Sequence, residues 1–280
     1  MNLDLSSPTT FSLANARIFA DLSERAYHEA TVFSARTDAE CLIVSDDTAI
    51  VVAFRGSEEI RDWLQDGKFW QTITLLGHVH AGFYQDILSI VAPLFDAIKK
   101  LLAEKPRTVF FIGHSLGGAL APVAADLFLK GVIGEVGGVY TFGEPRVGGG
   151  TFSSAYNQVL GARTFRVVNE YDLVPHLPPP GLLLNYSHHQ QEVMLRDSGG
   201  LLQGRSLARK LCTDGLMLYH AWRLLKDPLS LWDAVKENHV IATYQQKLAA
   251  LVPSPGPVVP SPISALQSAQ PSTLNQKPPQ

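Results

Sequence analysis

The run Val109-Phe110-Phe111-Ile112-Gly113-His114-Ser115-Leu116-Gly117-Gly118-Ala119-Leu120 decides the architecture of this chain. Its first four residues are uninterrupted apolar and β-prone, the pattern of a strand buried on both faces of a parallel sheet. From Leu116 to Leu129 the sequence turns helical, so Ser115 stands at the junction of a strand and a helix. Gly113 and Gly117 bracket it as G-x-S-x-G. Where strand hands over to helix this tightly, a side chain at 113 or 117 would collide with the crossing backbones, so glycine is needed at both. The bend strains the serine backbone by ~1–3 kcal/mol and lifts its hydroxyl clear of the sheet. It also leaves the Leu116 N–H at the helix start, aimed at negative charge developing beside Ser115. A glycine-rich loop that only packs helix on sheet is the competing reading, and the strand-to-helix setting with Gly118 speaks against it. His114 adjoins the serine but diverges from it, and reads as a structural histidine.

Working outward, Phe11 to Glu29 carries apolar positions at helical spacing, and the β-rich runs Ala39 to Val44 and Ala49 to Phe54 flank a turn-type Ser45-Asp46-Asp47, predicting a hairpin. A helix is predicted from Phe83 to Ala103, with Pro93 expected to kink or break it. Beyond the serine come a strand at Gly138 to Gly143, a helix at Thr151 to Val159 and a strand at Thr164 to Val168. Strands alternating with helices imply right-handed crossovers and a mostly parallel sheet flanked by helices, an α/β class. After Leu251 the composition shifts to Pro, Ser and Gln. Residues 1–251 therefore read as one domain, and 252–280 as a Pro/Ser-rich disordered tail.

Composition narrows the function classes. The chain has 280 residues, 46% hydrophobic and 18% charged, with a net charge of −3. That is a globular composition with no electrostatic footprint for nucleic acid. Cys41 and Cys212 are too few for a disulfide framework and lack zinc-type spacing, so both read as buried small apolar residues. The opening MNLDLSSPTTFSLANARIF lacks the basic and apolar regions of a secretory leader. No apolar stretch approaches the ~18 residues of a bilayer-spanning segment. On those grounds a cytoplasmic protein is expected.

Several blocks together resemble the class 3, fungal-type, lipase family of the α/β-hydrolase superfamily. Val52-Ala53-Phe54-Arg55-Gly56-Ser57 is similar to that family's strand and oxyanion loop, and residues 58–66 (EEIRDWLQD) to its short helical lid. His80-Ala81-Gly82-Phe83 resembles the opening of its next helix, and Thr141 to Gly148 its TFG-x-PR-x-G block. Val168 to Pro179 resembles the stretch bearing its catalytic aspartate. The likeness runs from about Val51 to Leu248. It implies Ser115 as nucleophile, Asp172 as the acid that orients a base, and Ser57 with Leu116 as the oxyanion hole. It also implies an ester hydrolase needing neither metal nor organic cofactor. Chain order agrees, because this fold runs Ser, then Asp, then His. The competing readings of this stretch are a turn aspartate at 172 and an acidic partner at Glu170.

Five histidines follow Asp172. His176 lies in a Pro-rich loop, His188 and His189 precede the strand-like run 190–195, and His220 sits in an apolar helical stretch. His239 lies near the end of the globular segment, followed by Tyr244 and Leu248 at helical spacing, as the family's catalytic histidine is; it is the expected base. Ile60, Trp63 and Leu64 fall at i, i+3 and i+4 among charged residues. The resemblance makes that segment a lid over an acyl groove, with a lipid or acyl-ester substrate taken at a lipid–water interface. Its competitor is a surface helix whose Trp63 packs in the core. The chain departs from the fungal pattern in having two cysteines, an extra segment at Asp197 to Asp227, and the tail. A soluble esterase, phospholipase or feruloyl-type esterase, and a non-catalytic hydrolase fold used for binding, are the alternatives to a lipase.

Overall fold

The structure is a computed structural model that describes residues 1–57, 70–178, 185–189, 191–204 and 235–251. Helix α1 (Leu13–Arg25) is capped by the Ser12 side chain accepting the Asn15 N–H. Strands β1 (Val32–Phe33), β2 (Glu40–Ser45) and β3 (Ala49–Phe54) follow. The predicted hairpin is β2–β3, and Asp46 Oδ1 turns the chain by accepting from Thr48 N and Ala49 N at 2.8 and 3.0 Å. Next come β4 (Gln71–Thr74), β5 (Gly77–His80), α2 (Ala81–Glu104), β6 (Thr108–His114), α3 (Leu116–Lys130) and β7 (Val136–Phe142). They lead to β8 (Gly148–Gly149), α4 (Gly150–Val159), β9 (Thr164–Asn169), β10 (Tyr186–Ser187), β11 (Glu192–Leu195), β12 (Leu201–Gln203) and α5 (Ile241–Ala250).

The main sheet has eight strands in the order β1-β2-β3-β6-β7-β9-β11-β12, and the run from β3 to β11 is parallel throughout. Because successive parallel strands are laid down in one direction, right-handed crossovers put α2, α3 and α4 on one face. The other face is covered by α1 and α5, from opposite ends of the chain. The strand sequences show both contacts with a period of two. Ile50, Val52, Phe54, Val109 and Phe111 pack on the crossover-helix side. Ala49, Val51, Ala53, Phe110 and Ile112 pack on the α1–α5 side. The carboxyl ends of β3, β6, β7, β9 and β11 therefore open on one edge, where loops can gather side chains.

Three features differ from the sequence expectation. Pro93 lies at an exposed position inside α2, and the helix continues on both sides of it rather than breaking there. A second sheet, β10-β8-β5-β4, was not foreseen, since its strands are two to four residues long and give no periodicity to read. At the start of the 197–227 segment, β12 extends the main sheet against β11. The remainder of that segment, the lid stretch, His220, Cys212 and residues 252–280 lie outside the described residues.

Candidate active site

Ser115 occupies the junction of β6 and α3 with φ 57° and ψ −125°, a region that costs a non-glycine residue strain. Its backbone N–H donates to the Phe142 carbonyl at 2.9 Å, tying the bend to the end of β7. A Cβ on Gly113 would lie 2.3 Å from the Gly117 carbonyl, and a Cβ on Gly117 would lie 2.1 Å from the Phe54 oxygen. These approaches are backbone on backbone. The start of α3 thus abuts the end of β3, from which Ser57 follows three residues later. Leu116 is the first helical residue, among the N–H groups that a helix leaves without an internal partner.

Asp172 follows β9 and is wholly buried. Its Oδ1 accepts the Val174 N–H at 2.9 Å. Its Oδ2 accepts both His239 Nδ1 at 2.7 Å and the Tyr244 hydroxyl at 2.6 Å. Three donors stabilise the buried charge where solvent does not reach. A carboxylate only accepts, so Nδ1 carries the proton and Nε2 is the bare nitrogen. Nε2 of His239 has no hydrogen-bond partner among the described residues. Tyr244 stands one turn into α5, and its hydroxyl also accepts the Asn169 N–H at 3.1 Å. Burial, and then the Asp172 charge, push that phenol well above its ordinary range.

Gly143 connects this pair to the serine. At φ 61° it is in the left-handed region, and a Cβ there would lie 2.7 Å from His239 Cε1 and 2.9 Å from Asp172 Oδ2. The single dipeptide Phe142-Gly143 therefore holds the Ser115 N–H with one residue and seats the His239–Asp172 pair with the next. The His114 and His239 rings pack at 4.7 Å.

The other candidates go elsewhere. Glu170 turns to the surface loop, where its Oε2 accepts the Asp197 N–H at 2.9 Å. His176 is buried beside Arg146, and burial lowers it to about 4. His188 donates Nε2 to the Pro175 carbonyl at 2.5 Å. His189 packs on Tyr156 at 4.7 Å, with Nε2 3.2 Å from Glu144 Oε1. Ile60, Trp63 and Leu64 lie outside the described residues. In the sequence Tyr27 and Tyr244 both read only as apolar positions at helical spacing; neither has a local pattern that announces a hydroxyl aimed at a distant loop.

Comparison with known proteins bears on this geometry. Residues 51–182 match the profile of the family described as Lipase (class 3). The secreted mono- and diacylglycerol lipase 1 of Fusarium solani is 33% identical over 192 residues, covering 66% of this chain and 56% of that protein. A lipase of Rhizomucor miehei is 35% identical over 173 residues, covering 58% of this chain and 46% of its own. The chain spans about half the length of these curated relatives. Among solved structures, a triacylglycerol lipase whose catalytic centre is described as a serine protease triad superposes with a TM-score of 0.60 at 26% identity. That match covers 68% of this chain and 83% of the other. These findings overturn the cytoplasmic expectation, since the Fusarium relative is by name a secreted enzyme. That expectation rests on the composition of residues 1–19 and on the lack of a bilayer-length apolar run. No described helix is long and apolar enough to cross a membrane. The class 3 lipase family is thus matched over residues 51–182, and the chain shares the α/β-hydrolase fold of a triacylglycerol lipase.

Proposed function

We propose that this protein is a serine carboxylic-ester hydrolase that acts as a lipase on acylglycerol esters, with residues 1–251 as the hydrolase unit and 252–280 outside it. The observation that carries the reading is the buried Asp172–His239 pair seated against Gly143, one residue from the carbonyl that holds the Ser115 backbone. In this mechanism Nε2 of His239 takes the Ser115 proton as Oγ bonds to the ester carbonyl carbon. The carbonyl electrons move onto oxygen, where the Ser57 and Leu116 N–H groups receive the charge; losing one such donor typically costs ~10²–10³ in kcat. Collapse breaks the carbon–alkoxy bond, and the imidazolium gives its proton to the leaving alcohol. Water then attacks the acyl-enzyme through the same histidine, returning the serine and releasing the acid. Asp172 fixes the tautomer and stabilises the imidazolium throughout.

Support for a lipid ester comes from the relatives, named as acylglycerol lipases, and from the surface. Residues 70–80 contain no charged side chain. Within them Trp70, Ile73 and Leu75 are 71%, 80% and 92% exposed, directly after the stretch that holds Ile60, Trp63 and Leu64. Such an apolar surface suits contact with a lipid–water interface better than free solution.

Rates on p-nitrophenyl butyrate, p-nitrophenyl palmitate and emulsified triolein test this. The expected result is hydrolysis of all three, with a rise in rate as the substrate passes its solubility limit. Activity on butyrate alone, with no triolein cleavage and no such rise, would contradict the lipase and leave a soluble esterase.

A further inference from the structure

The mechanism above makes no use of His114, yet this residue is almost wholly buried and has both ring nitrogens engaged. Its Nε2 lies 2.6 Å from the backbone carbonyl of His239. Its Nδ1 lies 2.7 Å from the hydroxyl of Tyr27, which follows α1. A carbonyl can only accept, so Nε2 carries the proton. Nδ1 is then an acceptor, and Tyr27 donates to it. That pattern fits a neutral ring. Burial, and then the neighbouring His239, push His114 well below the usual histidine range, toward the same neutral form. The titratable groups facing it are Tyr27, His239 at a ring separation of 4.7 Å, and Tyr244 at 5.9 Å.

We propose that His114, oriented by Tyr27, is a positioning residue for the base: it holds the main chain of His239 and packs its ring, and so sets where Nε2 points. The inference rests on the ester-hydrolase reading of the site. Two observations set it apart from generic core packing. The hydrogen bond goes to the base's own residue, on the chain that enters α5, rather than to a structural neighbour. The same relay also buttresses the other side of the site. A Cβ on Gly56 would fall 2.1 Å from the Tyr27 hydroxyl and 2.7 Å from the His114 carbonyl, so the backbone just ahead of Ser57 rests on these two residues. One buried relay therefore touches the nucleophile's strand, the base's loop and the approach to Ser57. The neutral ring also matters chemically. A second cation 4.7 Å away would oppose the imidazolium that catalysis builds on His239.

The test uses the full chain and p-nitrophenyl butyrate, with wild type beside His114→Leu, His114→Gln and Tyr27→Phe, and a thermal melt for each. Glutamine places an amide donor near the position of Nε2, whereas leucine fills space without one. Misplacing a reacting group by a fraction of an ångström to one ångström costs on the order of 10–10² in rate. His114→Leu is therefore expected to lose about ten- to a hundredfold in kcat with KM within about twofold. His114→Gln should recover to within about fivefold of wild type, and Tyr27→Phe should fall between them. Wild-type kcat in His114→Leu, or a glutamine variant no better than the leucine one while both melt as folded proteins, overturns the proposal. If the leucine variant does not fold, Tyr27→Phe decides alone: it removes one hydroxyl, and an unchanged kcat overturns the proposal. Wild type without esterase activity, or activity that survives Ser115→Ala, would bring down the hydrolase reading and this inference together, a result distinct from any of the above.

Discussion

His239→Ala is expected to lower kcat on p-nitrophenyl butyrate by about 10⁴–10⁶, the scale seen when a member of a cooperating triad is removed. The fold should survive. Asp172 would still accept from the Val174 N–H and the Tyr244 hydroxyl, so the buried carboxylate keeps two of its three donors. The loss would fall on chemistry, because the neighbouring histidines are engaged elsewhere: His114 by the Tyr27 hydroxyl and the His239 carbonyl, His188 by the Pro175 carbonyl, and His189 beside Glu144. Steady-state kinetics and a melting curve check it together. A variant that keeps kcat within tenfold would mean that the base has been misassigned.

Gly117→Ala carries the largest expected effect on stability. The added Cβ would stand 2.1 Å from the Phe54 oxygen, 2.7 Å from the Phe54 carbonyl carbon and 2.9 Å from that of Arg55. These are main-chain atoms of a wholly buried strand, hydrogen-bonded on both sides, so no rotamer change relieves the clash. Either α3 lifts off β3 or the strand shifts. The cost should reach about 3–5 kcal/mol, near the top of the range for single substitutions. For a domain of this size that is roughly a 10 °C fall in Tm. Gly150→Ala is the control: a Cβ there meets nothing within 4 Å, and it opens a helix, where alanine stabilises by up to ~1 kcal/mol. Melting the two side by side should separate them clearly. Equal Tm values would show that the crossing of strand and helix is looser than the distances imply.

What the sequence disclosed, and what it hid, divides along physical lines. Val109 to Ile112 could be read as a doubly buried strand because burial on both faces removes polar residues from a whole run. The outcome is visible in the alternate packing of Phe110 and Phe111 on opposite sides. Ser115 could be singled out because backbone crowding demands glycine at fixed offsets, and such a demand is local. Asp172 and His239 were named through chain order and family likeness. The contact between them spans 67 positions and left no local trace. The same holds more strongly for Tyr27 and His114, 87 positions apart, whose hydrogen bond exists only because α1 lies across β6. Beside the serine and diverging from it in sequence, His114 reads as structural; in space its ring meets the main chain of His239. The small sheet of β4, β5, β8 and β10 escaped notice since two-residue strands such as Gly148–Gly149 have no alternation to detect. The cytoplasmic expectation is contradicted by relatives named as secreted, which no local pattern in residues 1–19 foretells.

The proposed chemistry makes Ser115 a nucleophile activated from a distance by His239. A fluorophosphonate probe measures this most directly, through phosphonylation of the intact chain followed by peptide mass mapping. One adduct is expected, on the peptide bearing Ser115, absent from Ser115→Ala and forming far more slowly in His239→Ala. An adduct that persists in Ser115→Ala, or wild-type protein that takes up no probe, would contradict it.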